Sequence, residues 1–389
     1  MATSGKHWMR LLRTMAAVAT ARVRPQVKPH RIKLVTSLLG FGGGVFSLSL
    51  FKSSPEEEES LQAQASKWMC EPLTSLDHLQ KNSSDMKCRM EVLIMRIQAD
   101  FCRALEELDG EKKFVVDKWH RKEGGGGITC VLQDGTTFEK AGVNISVVQG
   151  MLPPSAVQQM RARGKKLEGE NLPFFAAGVS SVIHPKNPHI PTVHFNYRYF
   201  EVTERDGTKQ WWFGGGTDLT PYYLDKEDVV SFHKALKTAC DKHGKNYYPE
   251  YKKWCDDYFY IKHRGESRGV GGIFFDDLDA PNQDKVFQFV KSCADAVIPS
   301  YIPIVKKNRN KPYSYAERTW QLLRRGRYVE FNLIYDRGTK FGLYTPGARY
   351  ESILMSLPLT ARWEYMHTPK KGSREDELTQ VLKNPQEWV

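Results

Sequence analysis

The chain has 389 residues, of which 40% are hydrophobic and 26% are charged, a composition typical of a globular protein with a sizeable core. Its formal net charge of +12 is concentrated at the N-terminus, where no acidic residue precedes Glu56. Without the nine Lys and Arg residues of that stretch, 48 basic residues stand against 45 acidic ones. Such a balanced body lacks the excess charge that nonspecific nucleic-acid binding needs, so we expect no nucleic-acid partner.

Seven cysteines are scattered along the chain, and no two of them form a C-x-x-C pair. An odd number without paired spacing argues against a disulfide framework and against a zinc knuckle. We therefore interpret the cysteines as small, buried apolar residues.

The N-terminal segment has the composition of a targeting signal. Its first 33 residues are rich in Arg, Ser, Thr and Ala and lack acids, as mitochondrial transit peptides do. The apolar run Leu34–Phe51 follows, but glycines interrupt it and it is near the lower length limit for a membrane span. We predict that residues 1–55 are a mitochondrial targeting and sorting leader for the intermembrane space, which is removed. A merely disordered N-terminus is the alternative, and the folded domain is expected over residues 56–389.

Hydrophobic periodicity predicts the first elements of the folded part. Apolar residues at three- and four-residue spacing over Met86–Leu108 predict a long amphipathic helix. Gly124–Gly127 are expected to break the chain. Ile128–Leu132, the Asp134-Gly135 turn and a run through Val148 then predict a β-hairpin.

The remaining elements alternate between groups of strands and groups of helices. Further strands are predicted at Ala176–Ile183, Thr192–Val202, Gln210–Phe213, Gly272–Phe275 and Arg327–Tyr335. Helices are predicted at Lys226–His243, Glu250–Lys262, Lys285–Lys306, Ala316–Leu323 and Arg374–Leu382. Short turns between several of the strands favour an α+β fold, in one domain, with a large, mainly antiparallel sheet flanked by helices on both faces.

The predicted strand that begins at Thr192 has an unusual polar face. Because side chains alternate along a strand, His194, Asn196 and Arg198 share one face and the aromatic residues between them share the other. Arg is suited to holding a carboxylate and His to moving a proton near neutral pH. The row therefore forms either the wall of a polar binding site or an ordinary solvent face.

Two neighbouring stretches add candidate polar groups. Ser180 and Ser181 lie within the apolar strand predicted at Ala176–Ile183 and are either anion donors or ordinary strand hydroxyls. Asp218 follows three aromatic residues and three glycines, where it is either a site acid or the cap of a local turn. The glycines lack both common nucleotide-binding spacings.

Arginines beside glycines recur toward the C-terminus. Arg264 and Arg268 flank a glycine-containing turn, Arg337 lies in a predicted hairpin turn, and Arg349 follows Gly347-Ala348. Each alone is most often a surface charge, but together with Arg198 they indicate a ligand with several carboxylates.

A metal site is the remaining hypothesis for the polar residues. Five histidines are available, but none of the familiar metal-ligand spacings occurs, so hydrogen-bonded or exposed histidines are the favoured interpretation. The five are His184, His189, His194, His233 and His263.

Four long stretches closely resemble the oxygen-dependent coproporphyrinogen-III oxidase family: Phe174–Arg198, Trp211–Pro221, Trp254–Leu278 and Arg325–His367. The similarity covers the chain from about residue 70 to its end. It implies a homodimeric enzyme of haem biosynthesis, with a flat antiparallel sheet between helices and no organic cofactor. It also implies conversion of coproporphyrinogen III and O₂ to protoporphyrinogen IX, CO₂ and hydrogen peroxide, in the mitochondrial intermembrane space for the animal members.

The resemblance also implies roles for individual residues. His194 matches a proton donor. Asp218 matches an acid that binds the pyrrole N–H groups, and Arg268 matches a catalytic arginine. Residues that match substrate-binding positions are Ser180, Asn196, Tyr197, Arg198, Arg264, Arg337, Gly347, Ala348 and Arg349.

Two other functions stay open at this point. One is a metal-dependent oxidase that uses His184, His233 and His263, although we expect no metal. The other is a tetrapyrrole carrier without catalysis. Peripheral membrane association is also left open.

Overall fold

The computed structural model describes residues 59–344 and 348–389. The predicted leader and the start of the predicted domain at residue 56 lie outside the described residues, and so does Gly347. No helix among the described residues is both long and apolar enough to cross a membrane.

The described residues form nine strands and twelve helices. The strands are β1 (Val115–His120), β2 (Gly125–Gln133), β3 (Phe138–Met151), β4 (Pro173–Pro185), β5 (Thr192–Thr203), β6 (Lys209–Thr220), β7 (Tyr260–Ile261), β8 (Glu266–Ser267) and β9 (Gly271–Leu278). The helices are α1 (Leu61–Ala65), α2 (Leu76–Lys81), α3 (Met86–Asp109), α4 (Pro154–Ala162), α5 (Lys226–Asp241), α6 (Tyr247–Tyr258), α7 (Gln283–Asp295), α8 (Val297–Asn308), α9 (Tyr315–Ile334), α10 (Arg337–Tyr344), α11 (Tyr350–Leu354) and α12 (Arg374–Lys383).

Seven of the strands form one antiparallel sheet in the order β1-β2-β3-β4-β5-β6-β9. Strands β1 to β6 follow one another as a meander, and β9 joins the edge after α5, α6 and the small β7–β8 hairpin. The α+β class and the mainly antiparallel sheet predicted from the sequence are confirmed.

One face of the sheet, here called the closed face, is covered by helices. Helix α3 packs on β3 and β4, α7 on β6 and α6 on β9. Phe101 of α3 meets the ring of Phe195 edge-on, with 5.2 Å between ring centroids. The predicted long amphipathic helix is therefore confirmed, and its apolar stripe supplies much of the core.

The opposite face, here called the open face, is covered only at its margins. Val157 and Met160 of α4 pack in one cluster with Val202 and Trp212. At the other margin, α11 leads to Met355, whose sulfur would lie 2.3 Å from a Cβ added at Gly142. Between these helices the side chains of β3, β4 and β5 stay partly exposed.

The strand predicted at Arg327–Tyr335 is wrong, because this segment is the second half of helix α9. The alternation of Val329, Phe331 and Leu333 with polar residues favours a strand locally. A capping box between Ser314 and Glu317 starts a helix upstream, however, and its packing continues to Ile334. The predicted helix Lys285–Lys306 is two helices, α7 and α8, separated at Ala296.

Two turn predictions also need correction. Arg337 is the first residue of helix α10 and does not lie in a hairpin turn. Gly125–Gly127 belong to strand β2, and the chain turns just before them, at Gly124. Gly127 is tightly packed, because a Cβ there would lie 2.2 Å from the Trp119 ring.

Candidate active site

The open face carries a shallow floor between the marginal helices. Strand register aligns Asn144, Ser180, Asn196 and Gly216 in one row across β3 to β6. Short side chains leave this surface low, so a flat ligand can lie against the sheet. We define the floor as Asn144, Ser146, Gly178, Ser180, His194, Asn196, Arg198, Gly214 and Gly216.

His194 stands on the floor as the end of a buried chain of polar groups. It is the register partner of Asp218, and its Nδ1 lies 2.7 Å from Asp218 Oδ1. The other carboxylate oxygen, Oδ2, accepts a hydrogen bond of 2.8 Å from Arg268 Nη2. Among the described residues His194 Nε2 has no hydrogen-bond partner, so this nitrogen is the one available to a ligand.

Burial separates the roles of these three residues. Asp218 is 2% exposed and Arg268 is 3% exposed, whereas 20% of the His194 side chain is exposed. Burial alone would raise the pKa of Asp218, but the Arg268 charge and the hydrogen bond with His194 hold it below its usual value. Asp218 is therefore a fixed anion that orients the imidazole.

Arg268 is held by aromatic rings as well as by hydrogen bonds. Its guanidinium lies over Phe259, Tyr328 and Phe331, with 4.1, 4.5 and 4.9 Å from Cζ to the three ring centroids. Nη1 also donates to Asn332 Oδ1 at 2.9 Å. Burial opposes the charge, but Asp218 raises the pKa of Arg268 above its usual value. The structure places Arg268 behind Asp218, where it positions the acid.

Four residues farther along β5, Arg198 forms a second charged group on the same face. Its Nη2 lies 2.7 Å from the buried Asp276 Oδ1, and its Nη1 donates to Asn196 Oδ1 at 2.9 Å. Arg337 Nη2 donates to the other Asp276 oxygen at 3.3 Å. Gly214 makes the room, since a Cβ there would lie 2.6 Å from Arg198 Nη2. His194 and Arg198 are about 13 Å apart along the strand.

Arg349 supplies a cation on the far side of the floor. It forms an ion pair with Asp117 of β1 and stands at the N-cap of α11, directly after Ala348. Asp117 is in the same register row as Asn196 but four strands away, about 19 Å at the usual strand spacing. Cationic groups therefore lie at two opposite sides of the floor, Arg349 beside β1 and Arg198 on β5. The His194–Asp218 pair lies on β5 and β6, four residues along the strand from Arg198.

Comparison with known proteins identifies the family of the chain. Residues 89–388 match the family model described as Coproporphyrinogen III oxidase. The chain belongs to this family. It is 66% identical over 360 residues to an oxygen-dependent coproporphyrinogen-III oxidase of Drosophila melanogaster, covering 90% of this chain and 92% of that protein.

Two further relatives extend the similarity across kingdoms. A mitochondrial oxygen-dependent coproporphyrinogen-III oxidase of Homo sapiens is 64% identical over 336 residues, which cover 86% of this chain and 74% of the human protein. A chloroplastic oxygen-dependent coproporphyrinogen-III oxidase of Glycine max is 55% identical over 321 residues, covering 82% of this chain and 83% of that protein.

The side chain of Tyr197, a predicted site residue, does not lie on the floor with the others. Its side chain is fully buried on the closed face, and its hydroxyl lies 2.6 Å from Thr217 Oγ1. A Cβ at Gly215 would lie 2.7 Å from the Tyr197 ring. The side chain thus packs beneath the floor, and only its backbone is part of β5 next to Asn196.

Arg264 is also separate from the floor. It forms two hydrogen bonds of 2.8 Å with the Glu330 carboxylate on α9. His263 Nε2 lies 2.7 Å from the same carboxylate. Burial would raise the pKa of Glu330, but Arg264 and His263 lower it to about 2. Arg264 and Arg268, which the sequence placed in one turn, therefore have different environments.

The histidines of the metal hypothesis are on separate elements with their own partners. His184 Nε2 lies 2.9 Å from the Ser356 carbonyl oxygen, and His233 Nδ1 lies 2.8 Å from the Tyr248 hydroxyl. His263 is engaged by Glu330. Within residues 59–344 and 348–389, no group of three His, Cys, Asp or Glu side chains could hold a metal ion.

Asp276 and Arg163 were missed by the sequence analysis, although both lie at the Arg198 end of the floor. Arg163 Nη1 is 3.6 Å from Asp276 Oδ2. Asp276 is on β9 and Arg163 follows α4, so only the fold brings them together. The one available signal was Asp276 in the apolar strand GGIFFDDL, where a carboxylate on a largely buried strand needs a partner.

Proposed function

We propose that this chain catalyses the oxidative decarboxylation of two propionate groups of coproporphyrinogen III to vinyl groups, giving protoporphyrinogen IX in haem biosynthesis. Family membership supports the reaction. The observation that carries the proposal for this chain is the open face, where one acid–base pair stands on a low floor with arginines at two sides.

The shape and charge of the substrate suit this floor. A porphyrinogen is a broad macrocycle with four propionates at its edge in this substrate. Arg198 and Arg337 at one side and Arg349 at the other supply guanidinium groups for those carboxylates. Ser180 and Asn196 lie between the two sides and offer neutral hydrogen-bonding groups.

Each step converts one propionate and one O₂ into one vinyl group, one CO₂ and one H₂O₂. The chain –CH₂–CH₂–COOH loses its carboxyl carbon as CO₂ and two hydrogens to O₂, which is reduced to peroxide. The macrocycle is electron-rich and supplies the reactivity toward O₂, so O₂ is the co-substrate and no organic cofactor or metal takes part. The protein binds the substrate, orients it and excludes water.

His194 is the group that moves a proton in this proposal. Its Nε2 meets the macrocycle, because Nδ1 is committed to Asp218. Asp218 stabilises the imidazolium when His194 takes up a proton from a pyrrole N–H, and Arg268 keeps Asp218 ionised. The imidazolium is then the proton donor that returns this proton to the pyrrole nitrogen after CO₂ has left. The pyrrole N–H groups then lie above the His194–Asp218 pair, close to its negative charge.

The test is turnover of coproporphyrinogen III by the purified chain in air and under anaerobic conditions. We expect protoporphyrinogen IX and CO₂ only in air, with and without a strong chelator. Binding without release of CO₂ would instead support a carrier, and loss of activity to the chelator with recovery on adding metal would support a metal-dependent oxidase. Turnover without O₂ would refute the proposal.

We also propose that residues 1–55 form a leader that directs the chain to the mitochondrial intermembrane space and that the catalytic domain begins at residue 56. Their lack of acidic residues supports this, and mammalian relatives carry the word mitochondrial in their names. A fusion of residues 1–55 to a fluorescent protein tests it, with a variant that replaces the arginines by glutamine as the control. A cytosolic wild-type fusion would contradict the proposal.

A homodimer through the C-terminal region 327–359 is the third part of the proposal. Leu333, Ile334, Tyr344 and Tyr350 are large apolar or aromatic side chains there, and all are 42% exposed or more. Phe331 of the same region does not contribute to this exposed patch, because it is buried in the protomer's own core. Sedimentation should give a dimer mass at micromolar concentration, and Leu333→Asp with Ile334→Asp should give a monomer. A wild-type monomer would contradict the proposal.

A further inference from the structure

Asp276 stands at the centre of three arginines from three different parts of the chain. Arg198 comes from β5, Arg337 begins α10, and Arg163 follows the last residue of α4. Their nearest nitrogens lie 2.7, 3.3 and 3.6 Å from the Asp276 carboxylate. Asp276 itself is 8% exposed, whereas 35% or more of each arginine side chain is exposed. Asp276 is therefore buried beneath a partly exposed cluster of three positively charged side chains.

The position of Arg163 is fixed by the packing of its helix. Val157 and Met160 of α4 pack in one apolar cluster with Trp212. Arg161 then ties the following loop by donating to the Leu167 carbonyl at 2.8 Å. The helix end, and with it Arg163, is thus held beside β9 independently of any ligand.

Arg163 retains unused hydrogen-bonding capacity. It forms ion pairs with Asp276 and Asp277 at 3.6 and 3.8 Å, but its guanidinium makes no hydrogen bond among the described residues. A guanidinium has five N–H donors in a rigid fork. The N–H groups of Arg163 are held at the rim of the floor without a hydrogen-bond acceptor among the described residues, so they can bind the oxygens of a carboxylate.

The local charge balance also favours an anion. Lys165 lies near Asp277 at 3.9 Å and pairs with Asp279 at 2.9 Å. The three arginines and Lys165 carry four positive charges, and the nearby carboxylates Asp276, Asp277 and Asp279 carry three negative charges. The group therefore has a net charge of +1. Burial and the charge of Asp276 raise the pKa of Asp277, which makes it the weaker counter-ion of the two central acids.

We propose that Arg163 is a third arginine of one carboxylate-binding subsite, together with Arg198 and Arg337, and that Asp276 is the positioning residue that holds the three side chains together. The subsite takes one propionate of the substrate. This inference rests on the proposed function and adds a residue and a counter-ion to it. Asp276 prevents the mutual repulsion of the arginines from spreading them when no carboxylate is bound.

The subsite lies at the end of the floor away from His194, so it binds the substrate without taking part in proton transfer. Loss of Arg163 should weaken substrate and transition state equally, which raises KM and leaves kcat nearly unchanged. Losing one charge-assisted hydrogen bond corresponds to about a 10-fold or larger change in affinity.

The experiment is steady-state turnover of coproporphyrinogen III by the full chain with Arg163→Gln. We expect KM to rise about 10-fold or more with kcat within about threefold, and Arg163→Lys to recover part of the loss. Arg205→Gln is the matched control, because Arg205 is an exposed arginine between β5 and β6 that forms no ion pair among the described residues. Asp276→Asn should raise KM in the same way, with thermal unfolding measured to verify that it folds.

The outcomes separate this inference from the function it rests on. If the wild type does not convert the substrate, the proposed function fails. If the wild type is active and Arg163→Gln keeps a wild-type KM while Arg198→Gln raises it, Arg163 is not part of the subsite. A lowered kcat with unchanged KM in Arg163→Gln would also overturn the proposal, because it would mean a role in the chemical step.

Discussion

Arg268 Nη2 lies 2.8 Å from Asp218 Oδ2, and both side chains are almost completely buried. Removing one partner of such a pair leaves an uncompensated buried charge, which costs more than the pair contributes to folding. Variants of this pair can therefore change the free energy of unfolding and the turnover independently of each other.

Asp218→Asn should lower the free energy of unfolding by about 3–5 kcal/mol, because Arg268 keeps its charge in an apolar cage. The double variant Asp218→Asn with Arg268→Gln should recover a large part of that loss. Turnover should stay low in both, since His194 has lost its anionic partner. Urea unfolding and turnover at the same temperature provide the comparison. A double variant that regains activity along with stability would show that Asp218 is only structural.

His194→Gln should lower kcat by about 100-fold or more, because a group that transfers a proton is lost. Its KM should change little, since the arginines and not His194 hold the carboxylates. Stability should also stay close to wild type, because 20% of the His194 side chain is exposed and the Asp218–Arg268 pair remains. Steady-state kinetics check the prediction. A variant with normal kcat would place proton transfer elsewhere.

Gly214→Ala should act through Arg198. The added Cβ would lie 2.6 Å from Arg198 Nη2 and 2.7 Å from Asp276 Oδ1, so the guanidinium must move. We expect a rise in KM similar to that of Arg198→Gln, on the order of 10-fold. The double variant should be no worse than Arg198→Gln alone, because both changes remove the same contact. Additive effects would mean that Gly214 serves the site in another way.

The stability of the fold should fall as the pH falls below 6.5. Burial lowers the pKa of His184 and of His233 to about 3, whereas histidines in the unfolded chain titrate near 6.5. The unfolded state therefore binds protons that the native state excludes. Each histidine contributes its full stabilisation above pH 6.5 and loses about 1.4 kcal/mol per pH unit as the pH falls toward 3.

His184→Gln should reduce the change in the free energy of unfolding per pH unit, between pH 6.5 and 5, by the contribution of one histidine, about 1.4 kcal/mol per pH unit. The exposed His78→Gln is the matched control and should leave the slope unchanged. Urea unfolding at several pH values gives the free energies. An unaltered slope in His184→Gln would mean that His184 is protonated in the native protein.

The sequence predicted which residues of β5 share the floor, but it did not predict the carboxylates that hold their side chains in place. Strand periodicity alone placed His194, Asn196 and Arg198 on one face, because alternation is local. Their partners Asp218 and Asp276 come from other strands, and register is set by the packing of the whole sheet. Resemblance had to supply the expectation that Asp218 belongs to the site.

The failures have equally specific causes. The alternating Val329, Phe331 and Leu333 indicated a strand, but the helix that starts at Ser314 continues through them. Arginine beside glycine indicated an anion-binding group at Arg268, yet aromatic rings enclose its guanidinium, and two of them, Tyr328 and Phe331, come from the distant helix α9. Long-range packing of this kind leaves no local pattern to detect.

The most direct test of the account is the stoichiometry of turnover, measured by O₂ uptake and CO₂ release with coproporphyrinogen III in one reaction. The wild-type chain should consume one O₂ and release one CO₂ for each vinyl group formed, and the His194→Gln chain should do both at least about 100-fold more slowly. CO₂ released without O₂ uptake, or a His194→Gln chain as fast as wild type, would contradict it.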